Sequence, residues 1–293
     1  MSAAFSIAHV TDAHLPGHGR FAPGELMGKR LFSALNWVRK RHADHLWPVA
    51  DMLRADVVQA VPDHVAMTGD VVNFGLVREF AVGAEWLSGF GDPAGVSFAP
   101  GNHEAIHGGV EAACAAAFAP FTQGDEGTKA GWPWLRRRGP VALIGVSTSI
   151  ATAPFLAQGL AGAAQRSRLA EILDQTRDAC RIVLIHHPPT AMSIPRRCLR
   201  DRVEVSAVIA DIGAELVLHG HNHRNQLSWI DGPASRIPVL GAPSASVPYG
   251  GHPEPAEWRM ITIEADGTGW SFDILRRGLT ADGSFADIGR FRL

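Results

Sequence analysis

The sequence is poor in cysteine; Cys114, Cys180 and Cys198 are its three. Widely spaced and odd in number, they build neither a disulfide framework nor a thiolate zinc site, so a reducing cytoplasm is the expected compartment. No uninterrupted apolar run reaches about 18 residues, which argues against a transmembrane helix. The opening residues, Met1 to Val10, lack the basic n-region and apolar h-region of a secretory signal. An excess of one charge is missing too. With a formal net charge of −2 and a pI near 6.7, the chain has no electrostatic footprint for nucleic acid. Internal repeats and low-complexity tracts are absent as well.

What remains is an ordinary enzyme-sized composition: 293 residues, 46% hydrophobic and 19% charged, enough for a full core. No composition break or linker divides it, so one domain over residues 1–293 is expected, with room for a helical cap inserted at about 20–60. Short apolar runs at 5–10, 64–67, 96–99, 141–147, 181–185 and 214–218 read as strands. Between them, helical spacing covers 44–60, 76–90, 109–118, 163–179 and 201–212. After Asn225 the pattern changes to alternating runs at 226–230, 258–264 and 268–274, separated by a Pro/Ser/Gly loop over 241–255. Strands alternating with helices, then strands alone, predict an α/β sheet with crossover helices and a second, antiparallel sheet packed beside it.

Five of the strand-like runs end in residues able to bind metal: Asp12-x-His14, Gly69-Asp70, Gly101-Asn102-His103-Glu104, His186, and Gly220-His221-x-His223. Ligands in an open α/β sheet gather beyond the carboxyl ends of its strands, so these loops can converge. Imidazole, carboxylate and one amide, without thiolate, suit Mn²⁺, Fe²⁺ or Zn²⁺ better than calcium. The set is too large for one tetrahedral ion and sufficient for two sharing a ligand. Two divalent ions against two carboxylates, Asp12 and Asp70, leave the centre positive. Such a centre holds an anionic phosphoryl group and activates a water near neutral pH.

In that order the motifs resemble the calcineurin-like metallophosphoesterase superfamily. The short closing motif is similar to that of its class III cyclic-nucleotide phosphodiesterase group. The resemblance implies a four-layer α-β-β-α sandwich of two mixed sheets flanked by helices, with a dinuclear metal site at the strand ends. It implies that Asp12, His14, Asp70 and His223 hold one metal, that Asp70, Asn102, His186 and His221 hold the other, and that Asp70 bridges. It gives His103 to the scissile phosphate rather than to a metal, and Glu104 to the orientation of His103. The implied activity is phosphoester hydrolysis by a metal-bridging hydroxide, most of all of diesters. Rival readings are a nucleotide-sugar pyrophosphatase, including one for lipid-linked substrates, a phosphomonoesterase, and a non-catalytic binding scaffold. The Ser/Thr protein phosphatases follow Gly-Asp with Asp-Arg-Gly. Here Asp70 is followed by Val71-Val72-Asn73-Phe74-Gly75, which speaks against that activity.

Other histidines read more plainly: His187 and His9 as structural, His252 as a substrate-side candidate. Ser244 and Ser246 offer hydroxyls to a phosphate, although such a loop more often simply turns. Residues 25–41 form a basic amphipathic pattern with Met27, Leu31, Leu35 and Val38 on one stripe and Lys29, Arg30, Arg39, Lys40 and Arg41 around it. The plain expectation is a core stripe under a solvated basic face. The sharper one is a cap over the metal centre that meets an anionic substrate or, peripherally, a lipid surface.

Overall fold

Strands that are buried along their whole length form the middle of this protein. In chain order the strands are β1 (Phe5–Val10), β2 (His64–Met67), β3 (Val96–Phe98), β4 (Trp134–Arg138), β5 (Val141–Val146), β6 (Cys180–Ile185), β7 (Leu216–His219), β8 (Gln226–Asp231), β9 (Arg236–Gly241), β10 (Glu257–Ala265), β11 (Trp270–Leu279) and β12 (Phe285–Arg292). The structure is a computed structural model that describes residues 4–293 except 17, 18, 23, 253 and 268, with the side chain of Lys40 also left out. The helices of eight residues or more are α1 (Lys29–Asn36), α2 (Trp47–Gln59), α3 (Val77–Ser88), α4 (Glu111–Thr122), α5 (Ala163–Gln175) and α6 (Arg202–Ile212).

Two six-stranded sheets result, ordered β12-β11-β10-β1-β2-β3 and β4-β5-β6-β7-β9-β8. Both are mixed. β1, β2 and β3 run parallel, and so do β5, β6, β7 and β9; β10 to β12 join the first sheet antiparallel, while β4 and β8 edge the second. Successive side chains of a strand face opposite ways, and β6 shows the use made of that. Ile182 and Leu184 enter the seam between the sheets with Ile7, Leu143, Leu218 and Ile261. Val183 and Ile185 pack instead against Leu169 and Leu173 of α5 and Val205 and Ile209 of α6. On the far side Leu53, Phe80, Leu87 and Phe118 from α2, α3 and α4 cover Val10, Met67 and Phe98 of the first sheet. The result is four layers, helix, sheet, sheet, helix.

The trailing strands depart from the expected separate antiparallel sheet. β8 and β9 complete the second sheet, and β10 to β12 complete the first. β9 pairs parallel to β7, bringing Gly241 opposite His219; a Cβ there would lie 2.3 Å from the imidazole. The short β4 and β9 lacked a clear alternating signature. The expected strand 268–274 is observed as β11, its first residue, Thr268, lying outside the described residues.

The stretch expected as one basic helix over 25–41 begins later and is inverted. α1 starts at Lys29, passes into a π-helical turn at Trp37–Arg41 and ends in a short turn at His42–Asp44. Its buried side chains are Arg30, Ala34 and Trp37, with Ala34 and Trp37 resting on Phe74 and Leu76. Met27, Leu31, Leu35 and Val38, the expected core stripe, are exposed. Arg30 is drawn inward because its guanidinium donates to the main-chain carbonyls of Phe74 (2.9 Å) and Gly75 (2.6 Å).

Candidate metal centre

The loops after β1, β2, β3, β6 and β7 meet at one place, and the backbone is bent to make them do so. Five side chains expected as ligands, Asp12, His14, Asp70, His221 and His223, sit at φ between 43° and 70°. Only Val61 and Phe155 share that conformation among the other described non-glycine residues. Such angles are disfavoured for L-residues and persist where the surroundings enforce them. The enforcement is visible. Asp12 and His14 donate their amides to the carbonyls of Gly69 and Asp70, each at 2.9 Å, and the His221 amide donates to Asp12 Oδ2 at 2.9 Å. Gly220 leaves no room for a side chain, since a Cβ there would lie 2.0 Å from Thr11 Oγ1 and 2.5 Å from Asp12 Oδ2.

The side chains gather into two clusters joined through Asp70. In one, His14 Nε2 and His223 Nε2 are 3.1 Å apart, with Asp12 Oδ1 3.2 Å from His223 and 3.7 Å from His14. In the other, His186 Nε2 lies 3.2 Å from His221 Nδ1 and 3.2 Å from Asp70 Oδ2. Asp70 Oδ2 is also 3.9 Å from His14 Nε2, which ties the clusters together. Two ligands on one ion at about 2.0–2.1 Å each, 90–110° apart, are separated by roughly 2.9–3.4 Å, which is the spacing found here. Asp12 Oδ1 and Asn102 Oδ1 are buried without a hydrogen-bond partner. Acceptors left this way are costly unless a cation or water completes them. The donor set therefore fits two divalent ions.

Protonation points the same way. Burial holds the His14 and His221 imidazoles well below their ordinary pKa, so both offer lone pairs. Burial opposes charge on Asp12 and Asp70, but His223 beside the first and His186 and His103 beside the second bring both below the usual carboxylate value. His186 is pushed the other way, to about 9, because Asp70 and Asp12 outweigh its burial. Two buried carboxylates thus draw in positive charge, and metal binding at such a site displaces protons. Far nitrogens are anchored as well. His186 Nδ1 faces the Thr68 carbonyl at 2.7 Å, and His221 Nε2 faces the Arg197 carbonyl at 2.9 Å. Such contacts set the ring tautomer and aim the other nitrogen inward.

His103 stands at the rim, its ring 4.7 Å from that of His14. Burial, assisted by Arg41 and opposed by Asp70, lowers it to about 4. Glu104 does not orient it from behind as expected. Its carboxylate instead accepts four backbone amides, those of Asp70, Val71, Val72 and Gly101, at 2.6–3.2 Å. The longer glutamate reaches the main chain and braces the Asp70 loop, while the Asn73 carbonyl takes His103 Nδ1 at 2.6 Å. Asn73 also donates its side-chain amide to the carbonyls of His14 (2.7 Å) and Leu15 (2.8 Å).

Further residues reach the site from outside the five motifs. Arg41 Nη1 donates to His103 Nε2 at 3.2 Å, and its Nη2 lies 3.4 Å from His45 Nε2. The His45 ring lies 4.5 Å from that of His14, and its Nδ1 meets Ser246 Oγ at 2.8 Å. Ser244 donates to the Asp12 carbonyl at 2.6 Å. The two serines thus brace Asp12 and His45. Arg41 lies in the basic stretch expected as a cap, whereas His45, in extended conformation just after the short turn at 42–44, had no local signal. Lys29 is half-buried, bonds Thr152 Oγ1 at 2.6 Å and is lowered to about 8 by burial. Arg197 donates to the His221 carbonyl at 2.8 Å. His252 lies on the wall of a groove of about 820 Å³ that Met192, Ile194, Arg197 and Asn222 also line. His187, held by Thr148 Oγ1 (2.7 Å) and the Ala157 carbonyl (3.2 Å), is structural.

The chain is similar to known proteins in sequence pattern and in fold. A family model described as Calcineurin-like phosphoesterase matches residues 5–225. A Caenorhabditis elegans protein described as a metallophosphoesterase is 51% identical over 49 residues, 17% of this chain and 10% of that one. The fold is similar to that of purple acid phosphatase PPD1 from yellow lupin (Lupinus luteus), with a TM-score of 0.61 at 11% identity, over 100% of this chain and 54% of the lupin chain. It is also similar to a dimetal phosphatase from Danio rerio, at 0.58 and 12% identity over 98% of both chains. This chain thus spans about half the length of the lupin protein. At such identities the structural likeness speaks for the fold.

Proposed function

The chain belongs to the calcineurin-like phosphoesterase family, and from that premise we propose that it is a dinuclear metal-dependent phosphohydrolase acting on phosphodiesters. The observation that carries the reading is the pair of carboxylate–imidazole clusters sharing Asp70, with His103 at their rim. Asp12, His14, Asp70 and His223 would hold one divalent ion, and Asp70, Asn102, His186 and His221 the other. Such ions supply Lewis acidity at phosphorus and an activated water at neutral pH; manganese, iron and zinc all suit these ligands.

The chain's own residues do the rest. Lys29, Arg41 and Arg197 surround the two carboxylates with three cations, so the site attracts a phosphoryl group electrostatically. Arg41 donates to the inward nitrogen of His103, where a phosphoryl oxygen would compete for the same guanidinium. With its Nδ1 proton on the Asn73 carbonyl, His103 presents Nε2 to the site and there holds or passes the proton that a departing alcohol needs. The groove lined by His252 and Asn222 leaves space for the second substituent that distinguishes a diester from a monoester. The same three cations favour one rival, a nucleotide-sugar pyrophosphate.

An assay of bis(p-nitrophenyl) phosphate, p-nitrophenyl phosphate, cyclic AMP and a UDP-sugar, each with manganese, iron and zinc, tests the reading. Diesters should give the highest kcat/KM. His103→Ala should lower kcat by about 10²–10⁴-fold with both metals retained. A preference for the monoester or the UDP-sugar would overturn the diester assignment, and a fully active His103→Ala would overturn the role of His103.

A further inference from the structure

The inverted helical stretch over the metal centre leaves an apolar face with no partner among the described residues. Met27, Val38 and Phe155 are 64%, 71% and 72% exposed, and Leu31, Phe32 and Leu35 lie open between them. Scattered exposed leucines are normal, but a contiguous apolar patch marks an interaction site. Two segments build this one. The Phe32 ring of α1 packs at 4.8 Å on Phe155, from the loop after β5. Phe155 holds its ring there at φ 67°, a strained angle for a bulky side chain.

We propose that this face is a docking surface for an anionic lipid bilayer, lying in the interface plane with Met27, Val38 and Phe155 entering the headgroup boundary. Charge supplies the choice of partner. Between Glu25 and Asp44 the sequence has five basic residues and no acidic one. Apolar side chains beside an acid-free basic stretch suit a surface of anionic lipids. Lys29, Arg30 and Arg41 turn inward, and Arg39, next to Val38, is exposed. A second copy of the chain fits poorly, because a two-fold interface would set the same basic stretch against itself. Opposite this face, Arg41 reaches His103, so docking would hold the mouth of the metal centre at the membrane.

Vesicle co-sedimentation tests this without reference to turnover, using the full chain and phosphatidylcholine vesicles with about a third phosphatidylglycerol. The wild type should bind these vesicles, bind pure phosphatidylcholine far more weakly, and release as salt rises. The triple variant Met27→Ser, Val38→Ser, Phe155→Asn should lose at least about tenfold in partitioning. It should keep its melting temperature, its metals and its rate on a soluble diester. Three results would each overturn the proposal: no binding by the wild type, equal binding to neutral vesicles, or an unaffected triple variant. A concentration-dependent dimer that the triple variant dissolves would assign the face to a second copy instead.

Discussion

The strand-end loops and the helical stretch above them both turn polar side chains toward the metal centre, by opposite means. In the loops the backbone does the work. Asp12, His14, Asp70, His221 and His223 adopt left-handed angles; the amides of the first four are held by carbonyl or carboxylate oxygens, and neighbouring glycines leave no room to grow. In the helical stretch no described non-glycine residue has a left-handed angle, and long side chains reach inward while apolar ones are left outside. A loop that aims by backbone tolerates little change, whereas a helix that aims by side chain can lose one reach and keep its fold.

Four substitutions test that difference, in falling order of effect. Asp70→Asn weakens the shared ligand; metal content should drop from two ions to one or none, and turnover should sink into the assay background. Retention of two ions would show that Asp70 does not bridge. Gly220→Ala changes no ligand, yet its new methyl group would collide with Thr11 and Asp12. Metal affinity should fall about 10–100-fold, as when contacts behind a ligand are lost; unchanged affinity would mean the loops are less rigid than their angles suggest. Arg41→Ala should leave the metals in place and lower kcat/KM by about 10–100-fold, the worth of one charge-assisted hydrogen bond. Metal loss in that variant would make the helical stretch part of the ligand scaffold and blur the contrast.

The smallest effect concerns Glu79, at the start of α3, whose buried carboxylate accepts the amides of Asn73, Phe74 and Leu76 at 2.9–3.3 Å. Burial raises its pKa to about 7 from the ordinary 4.5 of a glutamate, against those hydrogen bonds. The folded state then keeps a proton that the unfolded state releases. This contribution is full below about pH 4.5 and is lost as pH rises through about 7. Glu79→Gln should flatten that part of the pH–stability curve, as read by chemical denaturation. An unchanged slope would mean the segment beside the helical stretch holds Glu79 ionised.

The same contrast explains what was legible in the sequence. The proposed metal ligands sit directly after buried strands, so the runs before Asp12, Asp70 and Asn102 pointed to the candidate centre, and the order of strands and helices gave the layered fold. Glu104 was in view, but its partners are main-chain amides that no side-chain pattern records. The periodicity of 25–41 revealed an apolar stripe and not its direction; spacing carries no sign, and only Phe74, Gly75 and His103, distant in sequence, draw the arginines inward. His45 was hidden for a similar reason, since it depends on Ser246, 201 positions away. β9 was hidden by its place beside β7, which nothing local foretells.

The division of the ligand set between the sheets has a mechanical consequence. Asp12, His14, Asp70 and Asn102 follow strands of the first sheet, whereas His186, His221 and His223 follow strands of the second. Each proposed ion therefore draws on both. Filled, the centre would act as a clasp across the open edge of the sandwich, closing chain segments more than a hundred residues apart. Chelation should then do more than stop catalysis. It should let the two sheets breathe apart at that edge, with faster amide exchange at the ends of β1 and β7 than in the seam behind them.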